Sequence, residues 1–256
     1  MKVIVKSPEK WVYPKNWLEA LKIEFHRQLP NRKIWMIIEN NSKDDYVIKI
    51  NGATGKITVR VNIGSKSEIT TIFKKGYLQA VVEHELKHLQ PNINFLIDTI
   101  IPPESILETE SISYYNGLKQ EFSSSYQDFL TDIYANSGMT QDGLKKYLEY
   151  EIDKLVIWWN DAQNKKWFFR TPLMLFISYI EACYVAIDEK PSKDLLLIAN
   201  VIHDDETNTV IYNQMLKIYL TMWKSLTSGQ IEVDLANETC TLHDLLRCQR
   251  RPFFIK

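Results

Sequence analysis

Cysteine, glycine and net charge are all scarce in this sequence, and each shortage argues against a class of protein. Three Cys in 256 residues make no disulfide framework, which favours a reducing, cytoplasmic compartment. Eight Gly leave little material for long flexible linkers. The formal net charge of -1 gives no electrostatic attraction to nucleic acid or to an anionic membrane, so we expect neither as a partner.

Long apolar runs and several common catalytic motifs are missing as well. The most apolar stretch, residues 172–187, is shorter than the about 20 residues that a helix needs to cross a bilayer, and it contains Glu181. We expect it to form a buried helix. Residues 1–8 hold too short an apolar run for a signal peptide. Neither a glycine-rich phosphate loop nor a serine nucleophile elbow occurs in the chain.

What the chain does contain is one H-E-x-x-H motif, formed by His84, Glu85 and His88. Side chains four residues apart lie on the same face of a helix, so both imidazoles can reach one point. Neutral imidazole is a zinc ligand, and a catalytic zinc leaves one position for water. Glu85 can act as a general base toward that water. The motif predicts a zinc site; the plainer alternative is a polar helix face with two incidental histidines.

Alternating apolar residues ahead of the motif predict a small antiparallel sheet with a backing helix. The expected strands are residues 3–5, 33–39, 46–50 and 56–63, with a turn at 51–55, and the expected helix is residues 14–28. The motif helix should begin near Gly76 and end by Gln90, because Pro91 cannot continue it.

After residue 137 the pattern becomes helical. The expected helices are residues 140–159, 172–187, 192–202 and 207–226, with a polar link at 160–166. The sequence therefore predicts an α+β fold in two domains. Residues 1–137 carry the sheet and the motif, and residues 138–256 are mainly helical.

The two histidines leave a zinc ion one protein ligand short, and a carboxylate from a later helix is the usual solution. The candidates are Glu104, Glu108, Glu110, Asp128 and Asp132. Spacing favours Glu108, about 20 residues after His88, although its serine-rich surroundings are typical of a solvated face. Asp132 lies in an apolar, aromatic segment, where a buried carboxylate needs a partner such as a metal. The residues themselves leave both possibilities open.

An H-E-x-x-H helix that follows a small sheet resembles the zincin metallopeptidases, in the gluzincin-like form. Two further features resemble a group of small metallopeptidases that is well represented in archaea. One is Pro91, shortly after the second histidine; the other is a later aromatic-x-x-D-x-x-x-N segment with Phe129, Asp132 and Asn136. The resemblance covers roughly residues 55–137, and only the H-E-x-x-H is specific. It implies that residues 1–137 are a zincin-like domain and that Asp132, in place of the glutamate of other gluzincins, is the third ligand. The third histidine of the metzincins is absent.

The resemblance also implies an activity, which is zinc-dependent hydrolysis of peptide bonds. His84, His88 and Asp132 would hold Zn²⁺, and Glu85 would take a proton from the activated water and hand it to the leaving amine. The partner would be a peptide or protein substrate, paired with an edge presented by the strand at residues 56–63. The alternative is a catalytically inactive zincin-fold protein with a binding or regulatory role.

Two other groups of residues are weaker candidates. A histidine or tyrosine often steadies the oxyanion in zinc peptidases, and three residues of this kind stand out: His203, Tyr114 and Tyr134. Cys240, His243 and Cys248 offer three soft ligands within nine residues, although buried cysteines on a short helix are the plainer interpretation.

Overall fold

The computed structural model describes residues 2–6, 15–40, 48–53, 56–62, 66–89, 128–165, 170–203 and 206–228. Within these ranges it contains four strands and eight helices, so the predicted α+β class is confirmed. Several candidate residues lie outside the described ranges: Glu104, Glu108, Glu110, Tyr114, Cys240, His243 and Cys248.

The four strands form one mixed sheet. They are β1 (Lys2–Lys6), β2 (Lys33–Glu39), β3 (Ile48–Ala53) and β4 (Lys56–Asn62), in the order β1-β2-β4-β3. β2 is parallel to both β1 and β4, and only the β3–β4 pair is antiparallel. The prediction of an antiparallel sheet was therefore wrong. Alternation of apolar residues reports which face of a strand is buried and carries no information about the direction of its neighbours.

The loop between β3 and β4 is shorter than predicted. β3 continues through Asn51 and Gly52 to Ala53, which pairs with Lys56, so a turn covering residues 51–55 was wrong in its first half. Two residues then connect the antiparallel strands, which is the common length for a β-hairpin.

Three helices accompany the sheet: α1 (Lys15–Gln28), α2 (Lys66–Lys74) and α3 (Leu78–Lys87). α1 buries Leu21 and Phe25 in a cluster with apolar side chains of the sheet, so it is the backing helix that the sequence predicts. Gly76 separates α2 from α3 with a φ of 74°, a left-handed conformation that glycine adopts without steric cost. α3 is the predicted motif helix, and it ends three residues before Gln90.

Five helices lie in the remaining described residues. They are α4, of which residues 128–137 are described, α5 (Gln141–Lys165), α6 (Arg170–Ala186), α7 (Lys193–His203) and α8 (Glu206–Ser228). The predicted link at residues 160–166 was wrong, because α5 continues to Lys165. Residues 160–165 contain neither Gly nor Pro, so no residue among them breaks the helix. Every residue from 173 to 180 of α6 is buried, as expected for its apolar run.

None of the described helices is both long and apolar enough to cross a membrane. The chain packs as two compact units, one of Met1–Gln90 with Met139–Tyr150 and one of Pro91–Gly138 with Glu151–Lys256. The organisation into domains of residues 1–137 and 138–256 stays a prediction.

Hydrogen bonds at the first turn of α5, some of them to a side chain of α3, fix where α5 begins. The Thr140 hydroxyl oxygen accepts the Gly143 N–H at 3.2 Å, as expected of a residue that caps a helix. The Glu83 carboxylate of α3 accepts the Thr140 N–H at 2.8 Å and the Thr140 hydroxyl at 3.3 Å. A Cβ on Gly143 would collide with Glu83 Oε2 and Thr140 Oγ1. Glycine at position 143 therefore leaves the space that the Glu83 carboxylate needs to reach Thr140.

Replacing Gly143 by alanine tests this contact. Alanine normally stabilises a helix by roughly 0.5–1 kcal/mol relative to glycine. Here the new Cβ would displace the Glu83 carboxylate from Thr140, so we expect Gly143→Ala to lower the Tm measured by circular dichroism. Glu83→Ala removes the same hydrogen bonds, so the two losses should be strongly non-additive in a double-mutant cycle. Additive losses, or a higher Tm for Gly143→Ala alone, would contradict this account.

Candidate metal centre

The two motif histidines converge as their spacing predicts. His84 Nε2 and His88 Nε2 lie 3.0 Å apart, and the two rings meet edge to face with their centroids 4.6 Å apart. His84 is 2% exposed, whereas Glu85 and His88 are partly buried. The expectation that both imidazoles reach one point is therefore confirmed.

The position of this pair follows from how α3 is packed. Val82, Leu86 and Leu89 recur every three or four residues and pack in the apolar cluster of the sheet. A different side of the helix carries His84, which faces Tyr147 of α5. His88 follows the last residue of α3 and keeps helical dihedral angles, with φ -62° and ψ -15°. The pair thus lies at a helix C-terminus, where the backbone carbonyl groups favour a cation.

Asp132 of α4 completes a group that could hold a metal ion. One carboxylate oxygen of Asp132 and one ring nitrogen each of His84 and His88 all lie within 4.8 Å of one another. Among the residues that the structure describes, these three form the group that could hold a metal ion. The other favoured candidate, Glu108, lies outside those residues.

The donor set and its spacing fit a zinc ion. Two nitrogens bound to one tetrahedral zinc at about 2.0–2.1 Å lie about 3.3 Å apart. The observed 3.0 Å between the two Nε2 atoms differs from that by a few tenths of an ångström. Two imidazoles and a carboxylate are also a usual zinc set, although the identity of the metal does not follow from geometry alone.

The helix that carries Asp132 is firmly attached to α6. Phe129 stacks on Phe176 and Tyr179, with ring centroids 5.6 Å and 5.3 Å apart. Asn136 Nδ2 donates to the buried Tyr179 hydroxyl at 2.7 Å and lies 3.4 Å from the sulfur of Cys183. These contacts fix the helix on both sides of the aspartate, one turn before it and one turn after it.

Burial and charge keep two neighbours of this helix protonated. Burial raises the pKa of the Tyr179 hydroxyl well above its usual range, and the negative charge of Asp132 raises it further. Burial likewise raises the pKa of the Cys183 thiol, and Asp132 adds to this effect. Cys183 is therefore a buried thiol without thiolate character, and the metal group does not include it.

The other candidate residues lie elsewhere or play different parts. His203 is exposed, with Nδ1 3.3 Å from Thr209 Oγ1 and its ring edge to face with Tyr212. Tyr212 in turn donates to the carboxylate of Glu181. Tyr134 is partly buried in α4. Neither His203 nor Tyr134 belongs to the metal group, and their role as oxyanion donors stays a prediction.

Tyr147 is the residue near the site that sequence reasoning missed. Its ring lies flat against His84, with the centroids 3.9 Å apart and the planes 11° from parallel. A tyrosine at an apolar position of a helix usually indicates the core, so the sequence carries no signal that would single it out.

Comparison with protein-family models, curated proteins and solved structures gives no match to this chain. The resemblance to zincins therefore depends on the sequence motifs, and a function has to be argued from the geometry of the site.

Zinc binding should depend on this group. We expect zinc to raise the Tm of the wild-type chain, by the equivalent of roughly 2.7 kcal/mol at one hundred times its Kd. His84→Ala and His88→Ala should abolish the shift, and thermal melts with and without zinc measure it. Asp132→Asn and Glu108→Gln then separate the two carboxylates, since only the ligand's substitution should weaken binding.

His26→Ala is the matched control, because His26 is exposed on α1 and lies outside the metal group. It should leave the zinc-dependent shift unchanged. A shift that survives both His84→Ala and His88→Ala would show that zinc binds elsewhere.

Proposed function

We propose that this chain is a zinc-dependent metallopeptidase of the zincin type. The observation that carries the proposal is the 3.0 Å approach of His84 Nε2 and His88 Nε2, with a carboxylate oxygen of Asp132 in the same group. Glu85 directly follows His84 on α3, and its carboxylate is the proposed general base. This combination of donors and base is suited to hydrolysis of an amide bond.

Each residue has a role in the proposed reaction. His84, His88 and Asp132 hold the ion, which when bound polarises the scissile carbonyl and acidifies water. Glu85 accepts a proton from the attacking water. It then returns that proton to the amide nitrogen as the peptide bond breaks, so that the carboxylate is regenerated at the end of each cycle.

The edge at which a peptide would bind differs from the predicted one. The strand at residues 56–63 was expected to present an edge, but β4 is an interior strand between β2 and β3. The prediction failed because order along the chain does not give order in the sheet. In the described sheet β3 is the edge strand next to α3, and Gly52 of β3 lies against Leu89, one residue after His88. We propose that an extended substrate pairs with β3 and so passes close to the motif.

A second candidate function is favoured by the same distance. Two neutral imidazoles with nitrogens 3.0 Å apart also make an ordinary hydrogen bond. On this account the motif is structural, and the chain is a catalytically inactive binding or regulatory protein. Metal content separates the two candidates, because only a metal centre should retain stoichiometric zinc.

Glu85→Gln tests the proposed chemistry. The amide keeps the size of the side chain but cannot accept a proton, so we expect cleavage to fall by about 10²–10⁴-fold while zinc content stays the same. The measurement is digestion of a mixed peptide library by zinc-loaded protein, followed by mass spectrometry, together with metal analysis of both proteins.

Glu19→Gln serves as the control, because Glu19 is an exposed residue of α1 that pairs with Lys22. It should cleave at the wild-type rate. Equal cleavage by wild type and Glu85→Gln would rule out Glu85 as the base. Zinc-loaded wild-type protein that cleaves no peptide would overturn the proposed peptidase activity.

A further inference from the structure

His84 is held on one face by a parallel aromatic ring. The Tyr147 and His84 centroids lie 3.9 Å apart with 11° between the ring planes, and the two side chains are 6% and 2% exposed. Turning the imidazole about its Cβ–Cγ bond would drive a ring edge into the tyrosine. The stack therefore restricts the plane of the His84 ring while its Nε2 is directed toward His88.

Tyr147 is itself fixed by contacts on both sides along α5. About two turns earlier, Thr140 is hydrogen-bonded through its N–H and its hydroxyl to Glu83, the residue directly before His84. One turn later, Tyr150 packs against Tyr77, with centroids 5.8 Å apart, and against Tyr147 itself, at 5.9 Å. These contacts set the register of α5 along α3, which places the Tyr147 ring over His84.

We propose that Tyr147 is a positioning residue of the metal centre, and that its ring holds the His84 imidazole in the orientation that binds the ion. The inference rests on the proposed metal site and extends it to a residue that touches neither metal nor substrate.

The physical benefit is preorganisation. A histidine that is free to rotate loses that freedom when it binds a metal, and this loss weakens binding. Stacking on Tyr147 imposes the restriction when the chain folds, so the apo site already has the orientation it needs. Residues that orient a metal ligand in this way typically change metal affinity by about 10–100-fold when they are replaced.

The test compares zinc affinity in three variants of the full chain. Tyr147→Leu removes the flat ring, and we expect its zinc Kd to rise by about 10–100-fold. Tyr147→Phe keeps the ring and removes only the hydroxyl, so its Kd should stay close to that of the wild type. Competition against a chromophoric chelator measures the Kd, and the absorption of bound Co²⁺ reports whether the ligand geometry has changed.

Tyr212→Leu is the matched control, because Tyr212 is a buried tyrosine of α8 that packs against His203 and lies outside the metal group. It should lower the Tm without a comparable rise in Kd. Equal weakening of zinc binding by Tyr212→Leu and Tyr147→Leu would show a general loss of packing and overturn the inference.

A second measurement uses the apo protein and does not depend on whether Tyr147→Leu folds. In the apo wild type the ring protons of His84, assigned with a His84→Asn variant, should show an upfield ring-current shift in NMR that Tyr147→Phe retains. A random-coil position for these protons would overturn the inference even if Tyr147→Leu failed to fold.

The outcomes also separate this inference from the proposed function. If the wild type binds zinc and folded Tyr147→Leu binds it equally well, the positioning role of Tyr147 is wrong, although the proposed metal centre is supported. If the wild type binds no zinc, both the metal centre and the positioning role are wrong. If zinc binds as described and no peptide is cleaved, the proposed peptidase activity is wrong, and the positioning role of Tyr147 is unaffected.

Discussion

Burial of α3 on two of its sides is the constraint on which the site depends. One side, with Val82, Leu86 and Leu89, packs in the apolar cluster of the sheet, and another side meets the aromatic rings of α5. A helix held in this way cannot rotate about its axis without losing both sets of contacts. The direction of the His84 side chain is thus fixed by apolar packing, and the polar chemistry of the motif is a consequence of that packing.

Polar contacts fix each of the two helices that carry the candidate ligands. Glu83 accepts two hydrogen bonds from Thr140 and so joins α3 to the first turn of α5. In α4, Asn136 donates to the buried Tyr179 hydroxyl, which satisfies polar groups that would otherwise be costly to bury. Buried polar groups of this kind specify one arrangement of helices, because any sliding would leave them without partners.

Local patterns in the sequence were sufficient for most of the described elements and for the histidine pair. The helical spacing of His84 and His88 depends only on the geometry of one helix, and the structure agrees with it. The candidacy of Asp132 came from its apolar surroundings and from a family resemblance, and the structure includes it in the group. In each case the signal was short in range along the chain.

What the sequence could not supply was pairing between distant segments. The parallel arrangement of β1, β2 and β4 is decided by how the connecting chain crosses the sheet, and alternation in a strand does not record it. The stack of Tyr147 on His84 joins residues 63 positions apart, 147 less 84, and an apolar position in a helix does not reveal its partner. Gly143 illustrates the same point, since its close neighbour Glu83 lies on another helix.

The charges of the group give a physical reason to favour a cation at this place. Two N–H groups cannot point at each other across 3.0 Å, so at least one of the two facing nitrogens is an acceptor with a lone pair. The pair therefore presents lone-pair electrons at the C-terminus of a helix, where the backbone already contributes partial negative charge. The Asp132 carboxylate in the same group adds a full negative charge. A proton shared between the two nitrogens involves those two groups only, whereas a divalent cation can bind the Asp132 carboxylate as well.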